Sequence, residues 1–325
     1  MKNAAFSTGR PVTNAPKPLF ADPVYDGAAD PSVIWNSKEK KWYMLYTNRR
    51  AKDMNAVGVT WVHGTRIGIA VSEDGSDWKY LDTADIRFRP DTNYTFWAPE
   101  VIANGSDYHM YLTYVPGVFK DWDHPRQIVH LKSTDLIRWD YINTTTLAND
   151  KVIDACVMKM PDNTWRMWYN NERDRKSIYY ADSKDLVSWT DKGKAVGDRG
   201  GEGPKVFRWK EKYWMLVDVW AGMAIYSSDD LTNWTRQEER ILEHPGKGKD
   251  DQAIGGHADI LVNNGKAYVY YFTHPGRVGT EKKWPDNYET RRSVIQVAEL
   301  DYADGKISAD RDKNLNFKLL NPNEK

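Results

Sequence analysis

The amino-acid sequence predicts an all-β fold, a five-bladed β-propeller with four antiparallel strands in each blade, and an internal repeat carries this prediction. Two elements recur in the same order along the 325-residue chain: a short aromatic and aliphatic run, and a polar turn that ends in Trp. A two-sheet sandwich also needs many short strands with turn signals. It gives no reason, however, for one internal order to return in five units, so the propeller is favoured.

The polar turn is the clearest repeated element. In every copy Ser and Trp are six positions apart and an Asp stands two positions after the Ser. The copies are Ser72–Trp78, Ser133–Trp139, Ser183–Trp189 and Ser228–Trp234. The pattern is typical of a tight turn that joins two strands. The fifth unit has no copy, so its outer strand is not predicted, and an N-terminal segment could help to close the ring.

Each unit also begins with two apolar segments that read as consecutive strands. The first segments are residues 31–35, 99–103, 155–160, 204–209 and 258–262. The aromatic runs that follow begin at Trp42, Tyr108, Trp165, Tyr213 and Tyr268. The blades are therefore expected to start near residues 30, 97, 154, 202 and 257, and residues 1–325 to form a single domain.

Composition excludes several classes of partner. The 46 basic and 46 acidic side chains balance, so no net field attracts nucleic acid or a membrane surface. One cysteine excludes an internal disulfide and multi-cysteine metal sites. No segment has the apolar length of a membrane span or a signal peptide. We expect a soluble protein, periplasmic or secreted if a signal peptide has been removed and otherwise cytoplasmic. The oligomeric state is not predicted.

The heads of the five first strands carry chemically unusual residues. Counting back 11 positions from the aromatic run, or 12 in the first unit, selects Asp30, Trp97, Asp154, Glu202 and His257. The first strand of each propeller blade lines the central channel, so these side chains are expected to ring one end of the axis. Buried carboxylates are costly unless they are paired or hydrogen-bonded. Three of them in one ring therefore indicate a functional site.

The same positions carry a family likeness. The motifs are Asp30-Pro31, Trp97-Ala98-Pro99-Glu100, Ile153-Asp154 and Glu202-Gly203-Pro204. Over residues 25–275 the chain resembles the family 43 glycoside hydrolases and their five-bladed relatives in families 32, 62, 68 and 117. The resemblance implies that Asp30 is the general base, that Glu202 is the general acid, and that Asp154 orients and tunes this acid. It also implies that His257 helps to hold a structural calcium ion in the channel, largely through water.

Two departures from the family pattern limit what the resemblance transfers. Ala155 follows Asp154 where many members have proline, and Glu100 stands where many have aspartate. Both catalytic carboxylates are kept, but the sugar preference is not transferred. No cofactor is required for the chemistry that the resemblance implies, because two carboxyl groups are sufficient to cleave a glycosidic bond.

Glycosidic cleavage needs a protonated carboxyl beside the leaving oxygen and an ionised carboxylate across the sugar ring. The trio can supply both, and an inverting reaction would place the Asp30 and Glu202 carboxyl groups about 6.5–9.5 Å apart. Trp97, Glu100, Trp220 and Arg277 are the residues expected to contact an oligosaccharide or a polysaccharide side chain. The long loops at residues 48–65, 115–127 and 273–292 are expected to restrict the site to chain ends.

The sequence thus predicts a glycosidase that removes terminal sugars, of the α-L-arabinofuranosidase, β-galactofuranosidase or β-xylosidase type. Three alternatives stay open. One is an anhydrogalactosidase-like hydrolase with a histidine acid, and another is a glycoside phosphorylase, which would need a cationic pocket for phosphate. The third is a glycan-binding propeller without catalysis, which would not need three axial carboxylates.

Overall fold

The chain forms the predicted five-bladed β-propeller. In the computed structural model, which describes residues 14–88, 93–279 and 283–322, the strands pair into five sheets arranged as blades. Residues 1–13 and 323–325, which the single-domain prediction also covers, lie outside the described residues. Within the described residues, no helix has the length and apolar character needed to cross a membrane.

The strands follow one another from the axis outwards in each blade. Strand β1 (Phe20–Ala21) belongs to the last blade. Blade 1 contains β2 (Ala28–Asn36), β3 (Lys41–Asn48), β4 (Arg66–Ser72) and β5 (Lys79–Thr83). Blade 2 contains β7 (Thr95–Asn104), β8 (Asp107–Val115), β9 (Gln127–Ser133) and β10 (Arg138–Thr144), with the earlier strand β6 (Asp85–Arg87) paired parallel to β10 at its edge.

The remaining blades follow the same plan. Blade 3 contains β11 (Val152–Lys159), β12 (Trp165–Asn171), β13 (Ser177–Ser183) and β14 (Thr190–Val196). Blade 4 contains β15 (Glu202–Trp209), β16 (Lys212–Asp218), β17 (Met223–Ser228) and β18 (Thr235–Arg236). Blade 5 contains β19 (Gly256–Asn263), β20 (Lys266–Thr273) and β21 (Val294–Ala303), and β22 (Lys306–Ala309) pairs with β21. A 3-10 turn (Thr60–Val62) and helix α1 (Tyr288–Arg291) lie in two of the long loops.

The N-terminal strand closes the ring. Strand β1 pairs antiparallel with β21, with Phe20 opposite Ile295. Phe20 is buried and its ring lies 5.3 Å from the ring of Tyr46 in blade 1. Blade 5 is therefore built from both ends of the chain, which confirms that an N-terminal segment takes part in closure and explains why the fifth unit lacks a turn copy.

The four polar turns have one hydrogen-bond pattern. In the copy at Ser133 the hydroxyl accepts the amides of Asp135 and Leu136, at 3.1 and 2.9 Å. The carboxylate of Asp135 then accepts the next two amides, those of Ile137 and Arg138. The fourth residue of each turn has a left-handed backbone, and this is Gly75, Leu136, Leu186 or Leu231. The three leucines are buried, so apolar packing offsets the strain of that conformation.

The innermost strand of every blade has a register shift near its head. Pairing jumps between Ala29 and Ser32 in β2, and equivalent jumps occur in β7, β11, β15 and β19. In the first four blades the residue inside the jump has a left-handed φ of 47 to 58°; these residues are Asp30, Ala98, Asp154 and Gly203. Such a bulge re-aims the side chains around it, and next to a channel it directs them to the axis.

The strand register shows that the offset counted in the sequence does not select the same structural position in every blade. Asp30, Asp154 and His257 occupy the bulged position, whereas Trp97 and Glu202 stand one residue before it. The predicted ring therefore consists of two adjacent layers, with three residues at the bulged position and two at the position before it.

The closure makes a prediction for stability. Replacing Phe20 by Ala should lower the free energy of unfolding by about 3–5 kcal/mol, because it leaves a cavity between blades 5 and 1. Denaturant unfolding measures the change. The control Val24→Ala alters a side chain that is 43% exposed and should have little effect. Equal stabilities of the two variants would show that β1 is not needed for closure.

Candidate active site

A cavity of about 850 Å³ opens at the end of the propeller where the innermost strands begin. All five predicted ring residues line it: Asp30, Trp97, Asp154, Glu202 and His257. Each of the three long loops contributes a tryptophan to its wall, namely Trp61, Trp122 and Trp284. Residues 280–282 of the third loop lie outside the described residues. The structure thus brings together side chains that are far apart in sequence.

Asp30 is buried and held by two cationic groups. The guanidinium of Arg49 lies 3.1 Å from its Oδ1, and Nδ1 of His257 lies 3.5 Å from the same oxygen. Burial alone would raise the pKa of Asp30, but Arg49 and His257 outweigh it and lower that pKa below the ordinary value. Asp30 is therefore ionised over the physiological pH range.

Asp154, Glu202 and Asp218 form a carboxyl cluster, and its two buried members, Asp154 and Asp218, have the opposite protonation behaviour to Asp30. Burial, with the negative charges of Glu202 and Asp30 added, raises the pKa of Asp154 to about 7. Burial and the charge of Glu202 likewise raise the pKa of Asp218 to about 6. The cluster consequently retains a proton close to neutral pH.

Asp218 was not predicted from the sequence. It ends β16 directly opposite Glu202 in the register, and its carboxylate accepts the amides of His257 and Trp220, both at 2.7 Å. The signal available in the sequence was a carboxylate at the last position of a largely apolar strand. The pairing of β15 with β16, which puts it beside Glu202, is not visible without the fold.

Glu202 is the most exposed of the three, with 26% of its side chain accessible to solvent. Nζ of Lys176 lies 3.5 Å from its Oε2 and also pairs with Glu172 at 3.0 Å. Glu172 is in turn paired with Arg126 at 2.8 Å. Glu202 thus faces the cavity while a chain of charges in blade 3 and the loop before it fixes its position. Lys176 and Glu172 are further residues that the sequence did not indicate.

Contacts between blades fix the bulges that carry these groups. The hydroxyl of Thr47 in blade 1 accepts the amide of Ala98 in blade 2 at 2.8 Å. Thr113 accepts the amide of Asp154 at 3.0 Å, and Asp218 accepts that of His257. The accepting side chains are all near the end of the second strand of a blade. Blades 1, 2 and 4 therefore each set the backbone of the next blade at the cavity floor.

A second ring of side chains lies deeper in the channel. Lys205 in blade 4 places its ammonium 2.8 Å from Glu100 in blade 2 and 2.8 Å from Asp259 in blade 5. Glu100 also accepts the amide of Val157, and Asp259 that of Val33. Although burial opposes the charged form, these two carboxylates raise the pKa of Lys205 well above its ordinary value. The channel thus contains an internal cation.

This ring corrects the expectation for Glu100. Glu100 was expected to contact substrate, but it is buried and does not line the cavity. The residue after the bulge points down the channel rather than out of it, so Glu100 binds Lys205 and the next blade instead.

The donor set around His257 does not fit the expected calcium ion. Calcium prefers several oxygen ligands, and the two carboxylates nearest to His257 are already bound, Asp30 by Arg49 and Asp154 by the amide of Gly203 at 3.0 Å. No group of three His, Cys, Asp or Glu side chains among the described residues is arranged to hold a metal. The imidazole instead contacts carboxylates: burial opposes its charged form, but Asp154 and Asp30 raise the pKa of His257.

The other predicted contact residues reach the cavity wall. The indole nitrogen of Trp97 donates to the carbonyl of Val62 at 2.6 Å, which anchors the 48–65 loop over the site. Trp220 is 47% exposed and its ring lies 5.0 Å from Nζ of Lys176. Arg277 lines the cavity near Trp61. These positions leave the exposed ring of Trp220 and the partly exposed side chain of Arg277 available to a sugar ring.

Comparison with known proteins places the chain in a family. A model of family 43-related sequences, described as a probable glycosyl hydrolase domain, matches residues 13–248. This match covers well over half of the chain, so the chain belongs to that family of family 43-related glycosyl hydrolases. The resemblance inferred from the motifs is thereby confirmed.

Individual relatives are distant. Levanase from Bacillus subtilis (strain 168) is 25% identical over 213 residues, which is 58% of this chain and 30% of the levanase. The chain spans less than half the length of the curated relatives that it matches, 30% and 49%.

Solved structures share the fold. A thermostable family 43 glycoside hydrolase superposes with a TM-score of 0.66 at 18% identity, covering 91% of this chain and 97% of that one. A β-xylosidase/α-arabinofuranosidase from a compost microbial metagenome, in complex with xylotriose, gives 0.61 at 18% identity, covering 87% and 94%. At this identity the likeness shows the fold alone.

The internal cation makes a prediction. Replacing Lys205 by Met should lower the free energy of unfolding by about 3–5 kcal/mol, because it leaves Glu100 and Asp259 as unpaired buried charges. Thermal or denaturant unfolding measures the loss. The matched control is Lys212→Met, which removes a lysine that is 40% exposed.

A second comparison separates charge from packing. Adding Glu100→Gln and Asp259→Asn to Lys205→Met should restore much of the stability, since no net charge is then buried. A triple variant as unstable as the single one would contradict the electrostatic account.

Addition of a chelator should leave the melting temperature of the unmodified protein unchanged.

Proposed function

We propose that this protein is an exo-acting glycoside hydrolase that removes terminal sugars with inversion at the anomeric centre. The observation that carries the proposal is that one cavity contains both an ionised carboxylate, Asp30, and a carboxyl cluster that keeps a proton near neutral pH. Environments that push the pKa values of neighbouring carboxyl groups apart are how glycosidases supply an acid and a base together.

In this mechanism Asp30 is the general base. Its carboxylate, held ionised by Arg49, takes a proton from the water that attacks the anomeric carbon. Glu202 is the general acid, because it is the member of the cluster most open to the cavity. It donates its proton to the departing oxygen. Asp154 orients Glu202 and shares the proton of the cluster with it, so that the two carboxyl groups are not both negatively charged.

The walls of the cavity support action at chain ends. All three long loops contribute to the wall, and the contact between Trp97 and Val62 ties one of them over the site. Terminal α-L-arabinofuranose, β-galactofuranose and β-xylose are the substrates to test first. The xylosidase/arabinofuranosidase activity named for one fold relative supports two of them.

The rival activities on this scaffold are less well supported. A glycan-binding propeller has no use for carboxyl groups with divergent pKa values in one cavity. A phosphorylase uses phosphate in place of water and needs no general base, whereas Asp30 is positioned and ionised here. Release of reducing sugar without phosphate, and no sugar phosphate when phosphate is added, would exclude phosphorolysis.

The acid assignment can be tested with one substitution. Glu202→Gln should lower kcat/KM for aryl glycosides with poor leaving groups by about 100-fold or more, since general acid catalysis typically contributes that much. Glycosides with a 2,4-dinitrophenyl leaving group need no proton and should be much less affected. Similar losses with both substrates would rule out Glu202 as the acid. NMR of the first anomer formed by the unmodified enzyme tests inversion.

The pH dependence follows from the same shifts. The raised pKa of Asp154, about 7, means that the cluster loses its proton as the pH rises through that value, so kcat/KM should fall above pH 7. The lowered pKa of Asp30 means that the base stays ionised until the pH falls below its ordinary value of 3.8. The alkaline decline should be absent with 2,4-dinitrophenyl glycosides. Activity that increases from pH 7 to pH 9 with ordinary substrates would contradict this account.

A further inference from the structure

One wall of the cavity carries a cation that no carboxylate of the described residues balances. Arg277 is partly buried in the 273–292 loop, and its Nε donates to the carbonyl of Thr290 at 2.8 Å. No carboxylate of the described residues lies within ion-pair distance of its guanidinium. The nearest candidate, Asp286, is bound by both nitrogens of the Arg291 fork, at 2.5 and 2.7 Å. Within residues 14–88, 93–279 and 283–322, the two terminal nitrogens of Arg277 therefore have no ionic partner.

The neighbours of Arg277 add positive charge instead of cancelling it. Arg49 contributes a second guanidinium to the same wall, and among the residues that the structure describes it forms an ion pair with Asp30 alone. Burial and then the charge of Arg49 lower the pKa of Arg277 to about 10, so it is still protonated at neutral pH. The wall thus carries two arginines against one carboxylate.

His274 between them is a neutral acceptor. Its Nδ1 contacts the carbonyl of Arg292 at 2.8 Å and its Nε2 lies 3.1 Å from Nη1 of Arg49. Because a carbonyl accepts only from a protonated nitrogen, Nε2 is left to accept from Arg49. Burial, and then the charges of Arg277 and Arg49, lower the pKa of His274 well below its ordinary value. It supplies no negative charge.

A partly desolvated cation without an ionic partner is unfavourable, and an anion restores the balance. The planar guanidinium fork binds carboxylate and sulfate oxygens with two parallel hydrogen bonds. Arg49 links this wall to Asp30, so the anion would belong to the sugar that the base serves. Trp61, whose ring centroid lies 6.0 Å from Cζ of Arg277, offers an apolar face beside it.

We infer that the terminal sugar removed by this enzyme carries an oxyanion, either a uronic acid carboxylate or a sulfate ester, which is bound by Arg277. This inference rests on the proposed function and replaces the neutral terminal sugars named there with an anionic one. Arg277 would be a specificity-determining residue: it binds the substituent and takes no part in the proton transfers at Asp30 and Glu202.

The experiment compares matched aryl glycosides that share ring and anomeric configuration and carry a hydroxymethyl, a carboxylate or a sulfate ester at the same carbon. The unmodified enzyme should have the higher kcat/KM for an anionic member, and which anion it favours identifies the substituent. Arg277→Gln should reduce the ratio of anionic to neutral kcat/KM by about 10- to 100-fold, the size of one charge-assisted hydrogen-bonded pair. The change should appear mainly in KM.

Two further variants distinguish direct binding of the anion by Arg277 from a general effect of positive charge in the cavity. Arg277→Lys keeps the charge but loses the fork, so it should give an intermediate ratio. Arg199→Gln removes a different arginine that lines the same cavity and has no ion pair among the described residues. It should change the ratio by less than about threefold, because a charge without direct contact acts through screened solvent. An equal loss in Arg199→Gln and Arg277→Gln would overturn the assignment of a specific contact.

Ion binding gives a readout that needs no turnover. Sulfate or acetate should raise the melting temperature of the unmodified protein more than that of Arg277→Gln, with chloride as the ionic-strength control. A preference for neutral glycosides, or a ratio unchanged by Arg277→Gln, would overturn the inference and leave the proposed hydrolase intact. If no glycoside is cleaved and neither ion stabilises the protein, both proposals fail.

Discussion

The site depends on a local irregularity of the backbone, the bulge at the head of each innermost strand. In a regular strand successive side chains point to opposite faces of the sheet, so Asp30 and the residues next to it would alternate between the two faces of the blade. The left-handed residue inside the bulge of each of the first four blades breaks that alternation where the strand meets the channel. Aspartate tolerates this backbone better than most residues. One residue type thus satisfies the backbone and supplies the carboxyl group.

The left-handed backbone at the bulges is strained, and side chains of an adjacent blade stabilise it. The side chains of Thr47, Thr113 and Asp218 accept amides from the next blade, so the geometry at each position is set by two blades at once. Lys205 connects blades 2, 4 and 5 below them. This arrangement makes the cavity floor rigid in the way that acid and base catalysis requires, while specificity is left to the loops above it.

Charge placement then gives chemically identical groups different roles. Asp30 and Asp154 have the same side chain, the same left-handed backbone and equivalent places in their blades. Arg49 lies beside one of them and Glu202 beside the other, which lowers one pKa and raises the other. The repeat therefore gives the two aspartates the same backbone environment. Neighbouring residues that differ between the blades then give them different pKa values.

The repeat was sufficient to predict the fold from the sequence, because turn motifs and apolar runs are local and each blade restates them. It also led to the five side chains around the cavity. Asp218 and Lys205 were not predicted because their roles come from strand pairing and from neighbours in other blades. Glu100 was misplaced because side chains after a bulge reverse direction, and a bulge has no fixed signal in sequence. Arg49 and His274 depend on how the loops close over the cavity, which the sequence does not reveal.

The closure by β1 has a consequence for biosynthesis. During translation the chain leaves the ribosome from its N-terminus, and four blades can pair before β21, the partner of β1, has been made. The pairing of Phe20 with Ile295 and the contact of Asp30 with His257 both wait for the last blade. A nascent chain can therefore hold most of its strands yet lack the channel, and the cavity assembles only after the last blade has been synthesised.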